Sequence, residues 1–199
     1  SCNYTLLNYT SLATTADNCD ATVTVTQSPA AGTVITSSTV VTLTATDDAG
    51  NTSTCTFSVV PTDTTVPTIT CPGNQSVSFS ATCNYTLLNY TSLATTADNC
   101  DATVTVTQSP AAGTVITSST VVTLTATDDA GNTSTCTFSV VPTDTTVPTI
   151  TCPGNQSVSF SAACNYTLLN YTSLATTADN CDASVTVTQS PAAGTVITS

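Results

Sequence analysis

The stretch VVTLTATDDAGNTSTCTFSVV (Val121–Val141) decides the fold. Its first half places Val122, Leu124 and Ala126 on one face and Thr123, Thr125 and Thr127 on the other. A side-chain period of two belongs to a β-strand with one dry face and one wet face. DAGN (Asp129–Asn132) reads as a turn, with Gly131 free to take the positive φ that other residues resist. STCTFSVV (Ser134–Val141) resumes as the returning strand.

Working outward, TITCP (Thr68–Pro72) and QSVSFS (Gln75–Ser80) read as one strand split by Pro72-Gly73. NYTLLNYTSL (Asn84–Leu93) reads as a second strand, and TVTVTQ (Thr103–Gln108) as a third with Val104 and Val106 inward. SPAAG (Ser109–Gly113) is a turn before the short strand TVIT (Thr114–Thr117). No segment carries a helical period. About seven short alternating strands with turn signals between them predict an all-β, immunoglobulin-like β-sandwich. The many outward Thr residues suit strands and keep the outer faces wet without charge.

The unit recurs at a constant interval. CNYTLLNYTSLATTADNCDA begins at Cys2, again at Cys83 and again at Cys164. Aligned at that interval, the copies differ only at Ser1/Thr82/Ala163 and Thr22/Thr103/Ser184. A period of roughly 80 residues is too large for a solenoid and predicts tandem modules arranged as beads on a string. The expected division is the C-terminal part of one module over 1–63, a complete module over 64–144, and the N-terminal part of a third over 145–199. The chain starts and stops inside a copy and so reads as a window on a longer array.

Composition narrows the function. The chain has no Lys, Arg or His and twelve acidic residues, for a net charge of −12. That balance excludes nucleic-acid backbones and anionic membrane surfaces as electrostatic partners and favours cations. No apolar run spans a membrane, so no direct membrane contact is expected of this segment. Ten cysteines at fixed phase imply an oxidising, extracellular compartment. Zinc is the competing reading, disfavoured by the absence of His and of any C-x-x-C pair. There is no general base beyond carboxylates, and paired carboxylates sit in turns of near-identical copies, which argues against an enzyme.

The segments DTTVPTITCPGNQSV, TADNCD and LTATDDAGNTSTCTFSV together resemble the hyalin repeat (HYR) module, over the whole chain. The resemblance implies Ig-like modules linked to adhesion. Bacterial versions stand in long arrays on giant cell-surface adhesins, including those of gliding bacteria. On that footing the segment is the stalk of an adhesin filament at the cell surface. A surface or glycan ligand would be bound elsewhere in the full chain, and the contacts of the stalk would be with neighbouring modules of the same chain. Two alternatives stand beside it: a self-assembling multi-chain fibre, or a glycan-binding module repeated for avidity.

Four cysteines per copy allow three pairings. In an Ig-like sandwich the first and last strands start at the same end, bringing Cys71 towards Cys136, while Cys83 and Cys100 flank the second strand and the loop after it. HYR modules that lack the middle two cysteines together imply the same pairing. The expectation is therefore Cys71–Cys136 and Cys83–Cys100, with Cys2–Cys19 and Cys164–Cys181 by repetition. Cys55 and Cys152 would pair outside the fragment.

The Asp residues gather in particular loops. Asp98 and Asp101 follow the second strand, Asp128 and Asp129 form the hairpin turn, and Asp63 and Asp144 lie in linkers. The linker should enter a module at the end that carries those loops. Asp63 is then expected beside Asp98, Asp101, Asp128 and Asp129, and Asp144 beside Asp179 and Asp182. Carboxylates ~6 Å apart repel by about 3 kcal/mol per pair at an effective dielectric near 20. Oxygen donors with Asn99 and Asn132 nearby suit Ca²⁺ at module junctions, although the D-x-D-x-D spacing of an EF-hand is missing. Solvated turn-capping Asp residues are the alternative reading. Thr64 and Thr145, each after Asp and before Thr, resemble acceptors of O-linked glycans in some surface-adhesive bacteria. Tyr4, Tyr9 and their equivalents are read as strand tyrosines of the core with wet hydroxyls.

Overall fold

The computed structural model describes residues 2–198. The described residues form short strands and three single-turn 3₁₀ segments, with no α-helix. Among the described residues no helix is long and apolar enough to cross a membrane.

The hairpin read from the sequence is present. Thr120–Thr127 and Thr133–Thr143 are its strands, and Gly131 sits at φ 91° in the turn. The largest sheet runs in the order Thr105–Ser109, Thr120–Thr127, Thr133–Thr143, Gln75–Ser78. Its last pair is parallel, with Val140 opposite Gln75 and Thr143 opposite Ser78. Two small antiparallel pairs accompany it: Thr68–Thr70 with Thr95–Ala97, and Tyr85–Thr86 with Val115–Ile116. The split first strand is thus real. Its halves belong to different sheets, Thr68–Thr70 to one and Gln75–Ser78 to another. The copy before repeats the theme. Thr24–Ser28, Thr39–Thr46 and Thr52–Val59 form an antiparallel sheet, and Tyr4–Thr5 pairs with Val34–Ile35.

Alternation becomes burial as expected. Val122, Leu124 and Ala126 are fully buried and the intervening Thr residues are not. Leu87, Tyr90, Ile116, Phe138 and Val140 are buried in the same copy. The corresponding cluster in the preceding copy is Leu6, Ile35, Val41 and Leu43, with Tyr9 and Phe57 against it. Tyr90 meets Phe138 edge-on at 5.3 Å between ring centroids, the geometry favoured by the ring quadrupoles. Its hydroxyl lies 3.4 Å from that of Tyr85. Burial first, and then the Tyr85 hydroxyl, push the Tyr90 phenol up to about 12. The tyrosines are core residues, as read.

The expected strand over Asn84–Leu93 is much shorter. Only Tyr85–Thr86 pairs, and Thr91–Leu93 is a 3₁₀ turn. The cause is Gln108. Its Oε1 accepts the Tyr90 amide at 2.7 Å, and its Nε2 donates to the Leu88 and Pro110 carbonyls at 3.0 Å each. A side chain has replaced a neighbouring strand as partner for that backbone. Gln27 and Gln189 repeat the arrangement.

The chain divides into two compact units. One comprises Ser1–Thr70, Ala94–Thr107 and Thr125–Cys136; the other comprises Cys71–Leu93, Gln108–Leu124 and Thr137–Ser199. Each unit draws on successive repeat copies.

Truncating Leu124 to Ala should cost about 2–5 kcal/mol, since the side chain is wholly enclosed. The neighbouring Val121→Ala, on the exposed face, should stay within about 0.5 kcal/mol. Urea denaturation of the two variants measures the contrast.

Candidate functional site: the carboxylate joint

Strand-flanking turns and one linker build the first unit's acidic cluster. Asp98 opens the loop after Thr95–Ala97, and its Oδ1 accepts the amides of Cys100 at 2.8 Å and Asp101 at 3.1 Å. This Asx turn occupies one carboxylate oxygen and leaves Oδ2 uncommitted. Asp101 Oδ2 accepts the Asp129 amide at 2.8 Å, tying that loop to the hairpin. Asp128 begins the hairpin turn, and Asn132 closes it. The Asn132 amide donates to Asp128 Oδ1 at 2.7 Å, and Asn132 Nδ2 donates to Asp128 Oδ2 at 2.8 Å. Asn132 Nδ2 also reaches the Asp63 carbonyl at 3.2 Å. Ser134 Oγ donates to the Pro67 carbonyl, fixing the same linker further along.

Asp63, Asp98, Asp101 and Asp128 each bring a carboxylate oxygen within 4.8 Å of the others. Asp128 is buried, and the other three are half-buried. The linker therefore enters at the end that carries the acidic loops, as strand order implies. Asp129 departs from the expectation: it is exposed and lies outside this group, contributing its amide to Asp101. In the second unit Asp144, Asp179 and Asp182 converge in the same manner. Asp179 Oδ1 accepts the amides of Cys181 and Asp182, as Asp98 does one period earlier.

The electrostatics explain how such a cluster survives without a Lys or Arg. Burial pushes the Asp128 carboxyl up, but the side chain and amide of Asn132 and the amides of Gly131 and Ala130 outweigh it and hold it below its ordinary value. The amides of Asp182 and Cys181 lower Asp179 likewise, and contact with Asp144 lowers it further. Two oxygens escape this arrangement. Asp63 Oδ2 and Asp98 Oδ2 are buried and accept no hydrogen bond. Buried carboxylate oxygens without a donor are costly, and their chemistry is that of ligands for a hard cation.

The cysteines stand differently from the expectation. Cys2 is bonded to Cys100, and Cys83 to Cys181. The expected Cys2–Cys19, Cys83–Cys100 and Cys164–Cys181 bridges are absent, and Cys19 and Cys164 are unbonded and exposed. The compact units explain why Cys83 does not meet Cys100: Cys100 falls in the unit that holds Cys2, and Cys83 in the unit that holds Cys181. Cys83 lies on a tight turn closed by Ser80 and Asn84, with φ at 52°. Cys100 is committed to the Asp98 turn of the loop after Thr95–Ala97. Cys71 and Cys136 are both disulfide-bonded. Cys55 and Cys152 are unbonded. Thr64 and Thr145 are exposed.

Replacing Asn132 by Ala removes a side-chain donor to Asp128 Oδ2 and a tie to the linker. We expect a loss of about 1–3 kcal/mol, read as a lowered melting temperature.

Among families of known proteins, the model of the HYR domain matches residues 62–141. No curated protein matches the chain.

Proposed function

We propose, from the match of the HYR domain model to residues 62–141, that the chain is a stalk segment of a long cell-surface adhesin filament built of extracellular, non-enzymatic modules. The modules would be Ig-like sandwiches in tandem, one over each period of the sequence. The observation that carries this reading is the near-identity of successive copies around the HYR domain. Each near-identical copy adds the same increment of length, as a spacer requires. The faces of the strands are Thr-coated, and the described tyrosines are spent on the core or on each other. That weighs against a glycan-stacking groove in every copy.

Micrographs of the intact assembly test the reading. We expect single-chain filaments with a regular bead spacing. Bundles in which several chains pair laterally along their length would replace it with the multi-chain fibre.

We propose further that the carboxylate joints bind Ca²⁺. Asp63 and Asp98 would direct their undonated oxygens at the ion, with Asp101 and Asp128 completing an oxygen-only set. Calcium at a hundred times its dissociation constant should stabilise the folded chain by about 2.7 kcal/mol. That corresponds to a rise in melting temperature of about 5–10 °C. Asp98→Asn should reduce the rise. Identical melting in calcium and in chelator would end the proposal.

A further inference from the structure

Both described bridges close over the same distance, 98 residues. That is the interval from Cys2 to Cys83, one period, with the interval from Cys83 to Cys100 added. Each bridge therefore joins a cysteine of one copy to the next copy's equivalent of Cys100. We propose that this register repeats along the array, so that the disulfides form a second covalent connection between neighbouring copies, parallel to the peptide linker, which carries tension and bypasses most of each module.

Three observations carry the proposal. First, the register occurs twice, each time within a single compact unit: Cys2–Cys100 in one and Cys83–Cys181 in the other. Second, the partners are shaped before they are joined. Cys164 is unbonded, yet it holds the same left-handed turn as bonded Cys83, with φ at 56° against 52°. The Ser161 and Asn165 contacts that close its turn match those of Ser80 and Asn84. Cys19 is also unbonded, and its loop is already capped by Asp17, as Asp98 caps Cys100. A strained non-glycine φ that persists without the bridge is set by the turn, not imposed by the disulfide. Third, bridge and linker run side by side. One groove is lined by Cys2, Cys100 and residues 60–65. In the second unit Asn180 Nδ2 donates to the Ser80 carbonyl at 3.0 Å, docking the loop of Cys181 on the turn that carries Cys83.

The chemistry balances without special provision. Each bridge forms as two thiols give up two protons and two electrons to a disulfide-bearing oxidant, which leaves as a dithiol. An extracellular compartment supplies such oxidants.

The mechanical consequence follows from covalent connectivity alone. The shortest covalent path runs from Cys2 across to Cys100, back along the backbone to Cys83, and across to Cys181. All other residues between Cys2 and Cys181 hang as closed loops off that path. A fully unfolded repeat then lengthens the filament by no more than about 60 Å, where an unbridged repeat would give about 280 Å.

Two measurements on the whole chain test the inference. Blocking thiols under native, non-reducing conditions and weighing the intact monomer should find four free cysteines: Cys19, Cys55, Cys152 and Cys164. Bridges confined to single copies would leave two. Peptide mapping is a poor substitute, because the Asp-Asn-Cys triplets at 17–19, 98–100 and 179–181 are identical. Pulling the chain by its termini gives the second readout. The oxidised chain should stop at a contour length of about 135 Å, and the reduced chain should reach about 690 Å. Bridges within copies would stop it near about 360 Å. Cys19→Ser should leave the oxidised value unchanged. Two free thiols, or an oxidised contour near the middle value, would overturn the proposal.

Discussion

A bridge that spans 98 residues, in a chain whose copies restart at Cys2, Cys83 and Cys164, has to cross a repeat boundary. Much of the surrounding structure is arranged to satisfy that constraint. One partner is carried on a tight turn with a left-handed cysteine, and the other on a loop drawn tight by an Asp side chain. A copy this small encloses few large side chains; those of the HYR segment centre on Leu87, Leu124, Val122 and Val140. Domains of that size need covalent help. In the chain-entropy model a loop as long as Cys2–Cys100 restrains the unfolded chain by about 5 kcal/mol, against about 3 kcal/mol for one as short as Cys83–Cys100. Closing across the boundary thus gives more restraint per bridge than closing within a copy, and it makes the stability of one copy depend on its neighbour.

The same boundary concentrates the charge. With no cationic side chain anywhere, every carboxylate that leaves bulk water must find N–H donors or a metal. Asp98 and Asp179 use the amides of their own loops, and Asp128 uses Asn132. These contacts position the loops as much as they neutralise them, because the donors lie on the backbone being ordered. Asp63 Oδ2 and Asp98 Oδ2 remain outside this scheme. An assembly that commits its donors so thoroughly elsewhere does not leave two buried oxygens bare at one spot without an unusual cost, which is why the joint, rather than any strand face, is the place to look for a bound cation.

The strands were legible where burial follows a period of two. Thr120–Thr127 and the returning strand follow directly from alternation, and the split first strand from Pro72-Gly73. The convergence of Asp63 on Asp98, Asp101 and Asp128 was legible too, because loop and linker positions follow from strand order. Over Asn84–Leu93 alternation misleads, since it cannot reveal that the Gln108 side chain satisfies the backbone in place of a strand. A signal is nonetheless present: Gln27, Gln108 and Gln189 are the repeat's only glutamines followed by Ser-Pro. The bridge register was not legible at all. In a near-exact repeat, Cys83 sees one partner at Cys100 and a chemically identical one at Cys181. Pattern cannot choose between them. The fold chooses, by placing Cys83 and Cys181 in one compact unit and Cys100 in the other.

That degeneracy has a physical counterpart in the folding chain. Every Cys83-type thiol has several equivalent partners, and an oxidant alone would not discriminate among them. Discrimination has to come from structure formed first. The unbonded turns at Cys164 and Cys19 have the shapes found at their bonded equivalents, so the geometry that presents each thiol does not depend on the bond. The partition into compact units, which sets Cys100 apart from Cys83 and joins Cys83 to Cys181, then tells each copy which neighbour to join. A repeat with such a selector has no need to diverge, and near-identity along the chain becomes tolerable instead of hazardous.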